Sequence, residues 1–172
     1  MRERRAKKGR IMKVAILMGS GNDYSVVERA EGVLKSFNVE YETRIISAHR
    51  TPSVAEAFSK GAEAAGIDVI IAAAGKAAHL AGVLAANTPL PIIGLPIKSS
   101  TMDGLDSLLS VVQMPKGIPV ATVAIDGAEN AALLAVQIMS LKYPELREAM
   151  RAYKIKMEQD IIQADREFQA GK

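Results

Sequence analysis

The chain predicts an α/β domain built on a doubly wound parallel sheet in three layers, and three features of its 172 residues carry that prediction. Short apolar runs alternate with stretches of helical length, the gaps between them are brief, and glycine or proline stands at most of those gaps. Strand-helix units repeated at this length close a parallel sheet through right-handed crossovers, with helices on both faces. A content of 49% hydrophobic and 24% charged residues suits a globular chain that buries one core.

Val14–Met18 is a continuous apolar run, as a strand buried on both faces should be. Asn22 or Asp23 stands where it can cap a helix running to about Phe37. Glu40–Ser47 reads as the second strand. Thr51 as N-cap, with Pro52 at the first helical position, starts a helix to about Ala65. Val69–Ala74 is the third strand, Ala77–Ala86 a short helix, and Pro91–Leu95 a fourth strand kept short by the prolines at its margins. Asp103–Val112 reads as a helix and Ala121–Ile125 as the fifth strand. Gly127–Leu141 is rich in alanine and leucine and apolar on several faces, hence a buried helix. From Pro144 onward Leu146, Met150, Tyr153, Met157, Ile161, Ala164 and Phe168 recur every three or four residues among charged ones. This is a narrow stripe on a long C-terminal helix over 144–170, roughly 37 Å at the helical rise. Its outer turns are expected to pack on a neighbouring subunit, the alternative being a return along the chain's own core.

The charge is uneven. Arg2, Arg4, Arg5, Lys7, Lys8 and Arg10 against Glu3 give residues 1–10 a net +5, whereas the whole chain carries +3, so residues 11–172 carry −2. The folding part therefore has no basic excess with which to follow a phosphate backbone, and no nucleic acid is expected as a partner. Residues 1–12 read as a basic, disordered N-terminal tail and 13–172 as a single catalytic domain. Because Met12 immediately precedes the first strand, the tail could be an upstream extension, a solvated arm, or an RNA-binding or targeting segment. The absence of cysteine excludes disulfides, thiolate zinc sites and cysteine nucleophiles. With no signal-peptide pattern and no apolar run near 20 residues, a cytoplasmic domain without membrane contact is expected.

Ligands of open α/β sheets sit in the crevice beyond the carboxyl ends of the strands. Ser47-Ala48-His49-Arg50-Thr51-Pro52 occupies such a handover and holds one of only two histidines. An unperturbed imidazole titrates near neutrality, which makes His49 a candidate proton carrier. Gly19-Ser20-Gly21-Asn22-Asp23 follows the first strand, where backbone N–H groups can receive a phosphate. It is no dinucleotide fingerprint, because Tyr24 stands where the third glycine belongs. Asp23 can be a helix cap or an acceptor for sugar hydroxyls, and Ser20 can be a turn residue only. Gly75-Lys76-Ala77-Ala78-His79-Leu80 follows the third strand. It is no P-loop, since Ala77 replaces the Ser or Thr and Ile70 the first glycine. Small residues there allow close approach to a flat ligand, and His79 can equally be a structural helix-start residue. Gln113 to Pro119 reads as a rigid connector or a wall of the site. No spacing resembles a metal site, and no Ser-His-Asp set is legible.

Together, Met18-Gly19-Ser20, Ser47 to Pro52, Ala74-Gly75, Ala77-Ala78-His79-Leu80, Leu105-Asp106-Ser107-Leu108, Val112-Gln113-Met114-Pro115, Gly117 to Thr122 and Asn130-Ala131 occur in an order that resembles the catalytic subunit of phosphoribosylaminoimidazole carboxylase, over about residues 13–157. The resemblance implies a flavodoxin-like sheet, a homo-octamer, no metal or organic cofactor, and a small ribonucleotide substrate whose carboxylate moves from the exocyclic nitrogen to ring carbon C4. It implies His49 as the proton carrier, Ser20, Asn22 and Asp23 at the ribose phosphate end, and Ser47, Ala48 and Arg50 at the phosphate. Gly75, Lys76, Ala77, His79 and Leu80 would close over the imidazole and carboxylate. Arg50 and Ala77-Ala78-His79 match the mutase branch rather than the animal-type branch that takes free carbon dioxide. Asn22 replaces a usual serine, Ala73 and Lys76 replace glycines, and Ala81 replaces a proline. The competing readings are direct carboxylation of the aminoimidazole ribonucleotide and a non-catalytic flavodoxin-like nucleotide- or flavin-binding module.

Overall fold

The computed structural model describes residues 12–172, so the predicted tail, Met12 excepted, lies outside the described residues. Five strands, β1 (Lys13–Met18), β2 (Glu40–Ile45), β3 (Val69–Gly75), β4 (Ile92–Ile97) and β5 (Ala121–Thr122), form one parallel sheet in the order β2-β1-β3-β4-β5. Six α-helices intervene or follow: α1 (Tyr24–Ser36), α2 (Pro52–Gly61), α3 (Leu80–Ala85), α4 (Leu105–Val112), α5 (Ala128–Met139) and α6 (Pro144–Ala170). Among the described residues, no helix is long and apolar enough to cross a membrane.

The strand period of two sorts the core into two layers. Val14, Ile16 and Met18 pack with Val27, Ala30 and Leu34 of α1, Ala131 and Val136 of α5, and Leu146 and Met150 of α6. Ala15 and Leu17 face the other side, with Ala55 of α2, Leu80 and Leu84 of α3 and Val111 of α4. Each fully buried Ile or Leu contributes roughly 1.5–3 kcal/mol against exposure, so burial on both faces explains the uninterrupted apolar runs in β1, β3 and β4. Gly94 lets α4 lie close on β4, because a Cβ there would stand 2.2 Å from Val111 Cγ1. The outer strand β2 carries Glu40, Glu42 and Arg44, charges that discourage edge-to-edge pairing.

Several boundaries differ from the sequence expectation. β4 runs through Pro96 to Ile97, because the missing N–H of that proline faces β5 rather than β3. Gly94 O and Pro96 O both accept from the β5 side, from Val123 N at 3.1 Å and Asp126 N at 2.9 Å. With no N–H at Pro96 to continue the ladder, β5 shortens to two residues instead of reaching Ile125. α2 ends at Gly61, short of Ala65, and α3 begins only at Leu80, since Lys76–His79 form tight turns with Ala78 N bonded to Lys76 O and His79 N to Ala77 O. In α6 the inner turns return to the chain's own core: Leu146 and Met150 are buried, and the Tyr153 ring meets Phe37 at 5.7 Å. Every residue of α6 beyond Tyr153 is exposed.

Candidate active site

The sheet order places the crevice between β1 and β3, where the chain leaves β1 toward one edge and β3 toward the other. A cavity of about 690 Å³ opens there. Ser20, Asn22, Asp23, Ser47, Ala48, His49, Arg50, Gly75, Lys76, Ala77, His79 and Leu80 all line it. Gln113 to Pro119 do not; that stretch is an outer connector, with Met114 resting near Gly82.

After β1, Gly21–Asp23 form a single 3₁₀ turn capped by Ser20, whose Oγ accepts from Asn22 N at 3.3 Å. Asp23, one of the two residues expected to cap the following helix, occupies the N-cap position of α1 but makes no side-chain cap bond. Asp23 N bonds Ser20 O at 3.2 Å and Gly19 N bonds Ala73 O at 3.0 Å, so three amides of this loop are already engaged within the protein. An incoming phosphate must rely more on side chains than the glycine turn suggested. The Asp23 side chain caps nothing. Burial pushes its carboxyl above the ordinary value, a backbone hydrogen bond from Ser20 pulls it down, and the charge of Asp126 raises it again.

After β2, Thr51 stands at the N-cap of α2 with Pro52 at the first helical position, as expected, but its Oγ1 turns away from the helix: it donates to Ser47 O and accepts from Ser47 N, both at 3.0 Å, while Thr51 N bonds Ser47 O at 2.9 Å. These three bonds close Ser47–Thr51 into a clamp that holds His49 and Arg50 over the cavity. Ser47 Oγ accepts from Arg50 N at 3.2 Å and from Arg50 Nε at 3.4 Å, and Arg50 Nη2 donates to Gly19 O at 2.8 Å. With its oxygen accepting, the Ser47 hydroxyl hydrogen remains to be donated outward. Arg50 also ties the β2 loop to the β1 loop.

After β3, Gly75 lies opposite Ile97, where a Cβ would press to 3.4 Å from the Ile97 carbonyl. Lys76 adopts a φ of 55°, a conformation that favours glycine, and its side chain lines the cavity. The turns that follow bring His79 Nδ1 to 2.8 Å from His49 Nε2.

Sequence reasoning missed a fourth contribution, Ile97-Lys98-Ser99-Ser100 after β4. Lys98 N donates to Asp126 Oδ1 at 2.8 Å, and Ser99 Oγ to Asp106 Oδ1 at 2.8 Å, which fixes the loop against the cavity. The signal was a polar run directly after an apolar strand. It was hidden by ending β4 at Leu95, which left these residues away from any strand end.

The chain matches the family described as AIR carboxylase over residues 13–160. It is 60% identical over 142 residues to a Pyrococcus abyssi protein named N5-carboxyaminoimidazole ribonucleotide mutase, covering 83% of this chain and 82% of that one. It is 48% identical over 162 residues to a Mycobacterium tuberculosis protein of the same name, covering 93% of each. The crystal structure of Treponema denticola PurE superposes with a TM-score of 0.82 at 35% identity, over 90% of this chain and 97% of that one. A match in sequence across nearly all the described residues, on the same sheet, makes the chain a member of the AIR carboxylase family.

Proposed function

We propose that this protein is a mutase of purine biosynthesis that converts N5-carboxyaminoimidazole ribonucleotide to 4-carboxyaminoimidazole ribonucleotide. The observation that carries this reading is the sustained identity, 60% and 48% over most of both chains, to proteins bearing that name. The geometry supplies parts suited to the chemistry. Arg50 and the Ser47 hydroxyl offer donors to the phosphate, with Ser20 and Asn22 beside it. Asp23, free of any capping duty, accepts from ribose hydroxyls. Ala48, Gly75, Ala77 and Leu80 form a small-residue wall for the flat imidazole, and Lys76 and His79 stand over its carboxylate.

His49 moves the proton. Loss of carbon dioxide from the carbamate breaks the N–C bond, and the nitrogen takes a proton from His49. C4 then forms a bond to the trapped carbon dioxide, the C4–H bond breaks, its electron pair restores the aromatic ring, and the proton returns to His49. Recapture requires that carbon dioxide remain beside C4, a positional demand that a walled cavity answers.

The test is to incubate the protein with the carbamate substrate in the absence of ATP and added bicarbonate. The C-carboxylated product is expected. If no product forms, but the aminoimidazole ribonucleotide plus bicarbonate yields it, the protein is a direct carboxylase. If neither yields product, it is a binding module.

We further infer a homo-octamer in the cytoplasm, with α6 as an assembly element. Support comes from its outer turns, where Met157, Ile161 and Phe168 are 51%, 72% and 63% exposed although they continue the stripe buried at Leu146 and Met150. Removing residues 155–172 should leave the circular dichroism spectrum of the core domain in place and lower the mass measured by light scattering. An unchanged octamer would refute the role of the helix.

A further inference from the structure

β3 and β4 end abreast, with Gly75 paired in register to Ile97, so the next residues along the two strands are Lys76 and Lys98. Both line the cavity, and among its lining residues these two lysines and Arg50 are balanced by a single carboxylate, that of Asp23. The Lys98 ammonium meets another carboxylate outside that lining: Nζ lies 3.2 Å from Asp103 Oδ1, in a pair whose side chains are 60% and 87% exposed. We infer that Lys98 is a binding residue for the carboxylate of the substrate, and that Asp103 occupies its ammonium until that carboxylate arrives. The identity of the ligand rests on the mutase reading above.

The backbone around this pair is fixed, whereas the pair itself is not. Lys98 N donates to Asp126 Oδ1 at 2.8 Å, Ser99 Oγ to Asp106 Oδ1 at 2.8 Å, and Thr101 N to Ser99 Oγ at 3.3 Å. Asp103 and Gly104 turn with φ values of 52° and 96°, and a Cβ on Gly104 would stand 3.1 Å from Lys98 Cα. The turn thus lies against the base of the lysine and presents the carboxylate to it; aspartate is one of the few residues that visit this conformation. Water screens both charges of so exposed a pair and leaves it weakly held. The flexible four-carbon stem of Lys98 lets its ammonium leave Asp103 for the cavity with the backbone in place. Asp103, already 87% exposed, loses little when left to water. Strand order decides which anion Lys98 meets. Arg50 and Ser47 offer their donors on the β1–β2 side, and β4 lies two strands beyond β1, about 10 Å at the usual strand spacing. With the phosphate on the β1–β2 side, the group that reaches Lys98 is the carboxylate at the other end of the ligand, which settles between two cationic residues set side by side by adjacent strand ends.

Because Asp103 competes with the ligand, the two halves of the pair must act in opposite directions. Titrated by calorimetry with 4-carboxyaminoimidazole ribonucleotide, Lys98→Met should raise Kd about 5- to 30-fold, the loss of a charged hydrogen bond discounted for exposure. Asp103→Asn should lower Kd about two- to fivefold, the most that an exposed pair can withhold. Aminoimidazole ribonucleotide, with the same phosphate and no carboxylate, should bind both variants as it binds wild type. Weaker binding of the carboxylated ligand in both variants would make the pair a structural clasp and overturn the inference. An equal loss for the two ribonucleotides in Lys98→Met would move Lys98 to the phosphate and overturn it as well. Asp103→Asn carries the sign by itself: unchanged or weaker binding there overturns the inference even if Lys98→Met fails to fold. Wild-type protein that leaves the carbamate unconverted while the variants show these shifts in Kd would sink the mutase reading and leave the exchange at Lys98 standing.

Discussion

At the amino-terminal end of the sheet, Asp68 is 11% exposed, accepts from Tyr143 Oη at 3.0 Å, pairs with Lys142 and receives Lys13 N at 3.4 Å. At the carboxyl end, Asp23 caps nothing although burial raises its carboxyl, Ser47 retains a hydrogen to donate, and Arg50 stands exposed beside the cavity. Both ends gather a carboxylate, cations and hydroxyls around strand termini. One cluster is closed on itself and fastens the start of β1 to the start of β3 and to the α5–α6 turn. The other keeps donors and acceptors open toward a cavity. Local satisfaction, more than residue type, separates a structural cluster from a functional one.

The largest effect is expected at His49, at the carboxyl end. His49→Asn should lower kcat about 10²- to 10⁴-fold, the usual contribution of a positioned acid or base, while substrate binding by calorimetry and thermal stability stay close to wild type. Near-normal turnover would remove His49 from the chemistry. Asp68→Ala should do the reverse. Loss of a charge-assisted acceptor at a mostly buried site should cost about 1–3 kcal/mol, read from the midpoint of urea unfolding, with kcat of the folded fraction unchanged. A loss of kcat at full stability would mean that the amino-terminal cluster serves the reaction.

Asp23 sharpens the contrast, because there function and stability pull apart. Its carboxyl is raised in the folded state, so in the pH window between the ordinary value and the raised one the native protein binds more protons than the unfolded chain. Stability contributed by the protonated form is present below that window and is lost as pH rises through it. Asp23→Asn should therefore raise Tm at neutral pH, with the gain shrinking as pH falls below the carboxylate range, and should raise KM. A lower Tm at neutral pH would contradict this account. Lys142→Ala should have the smallest effect: its side chain is 43% exposed, and such pairs contribute about 0–1 kcal/mol. An unfolding shift as large as that of Asp68→Ala would show that the charge, rather than the hydroxyl and backbone partners of Asp68, holds this end together.

Much of the sheet and of its carboxyl end was legible in the chain. The strand and helix periods, Pro52 at a helix start, and the loops 19–23, 47–52 and 75–80 are signals between near neighbours, and they located all five strands and three walls of the cavity. What stayed hidden depends on partners far apart in sequence. Pro96 could be read as a strand stop until the sheet showed its missing N–H turned toward β5. The Asp68 cluster joins residues more than 70 positions apart, with no local pattern to announce it.

The sequence by itself determined the alternation of elements, the three-layer architecture and the placement of His49, Arg50 and Asp23 at strand ends, because periodicity, capping and turn chemistry act within a few residues. Only the tertiary structure decided that His49 and His79 face each other across β1, that Lys98–Ser100 complete the cavity, and that α6 buries its first turns and leaves the rest exposed. Those outcomes follow from strand order and from the backbone geometry that positions each loop, and each joins groups whose separation along the chain carries no trace of their separation in space.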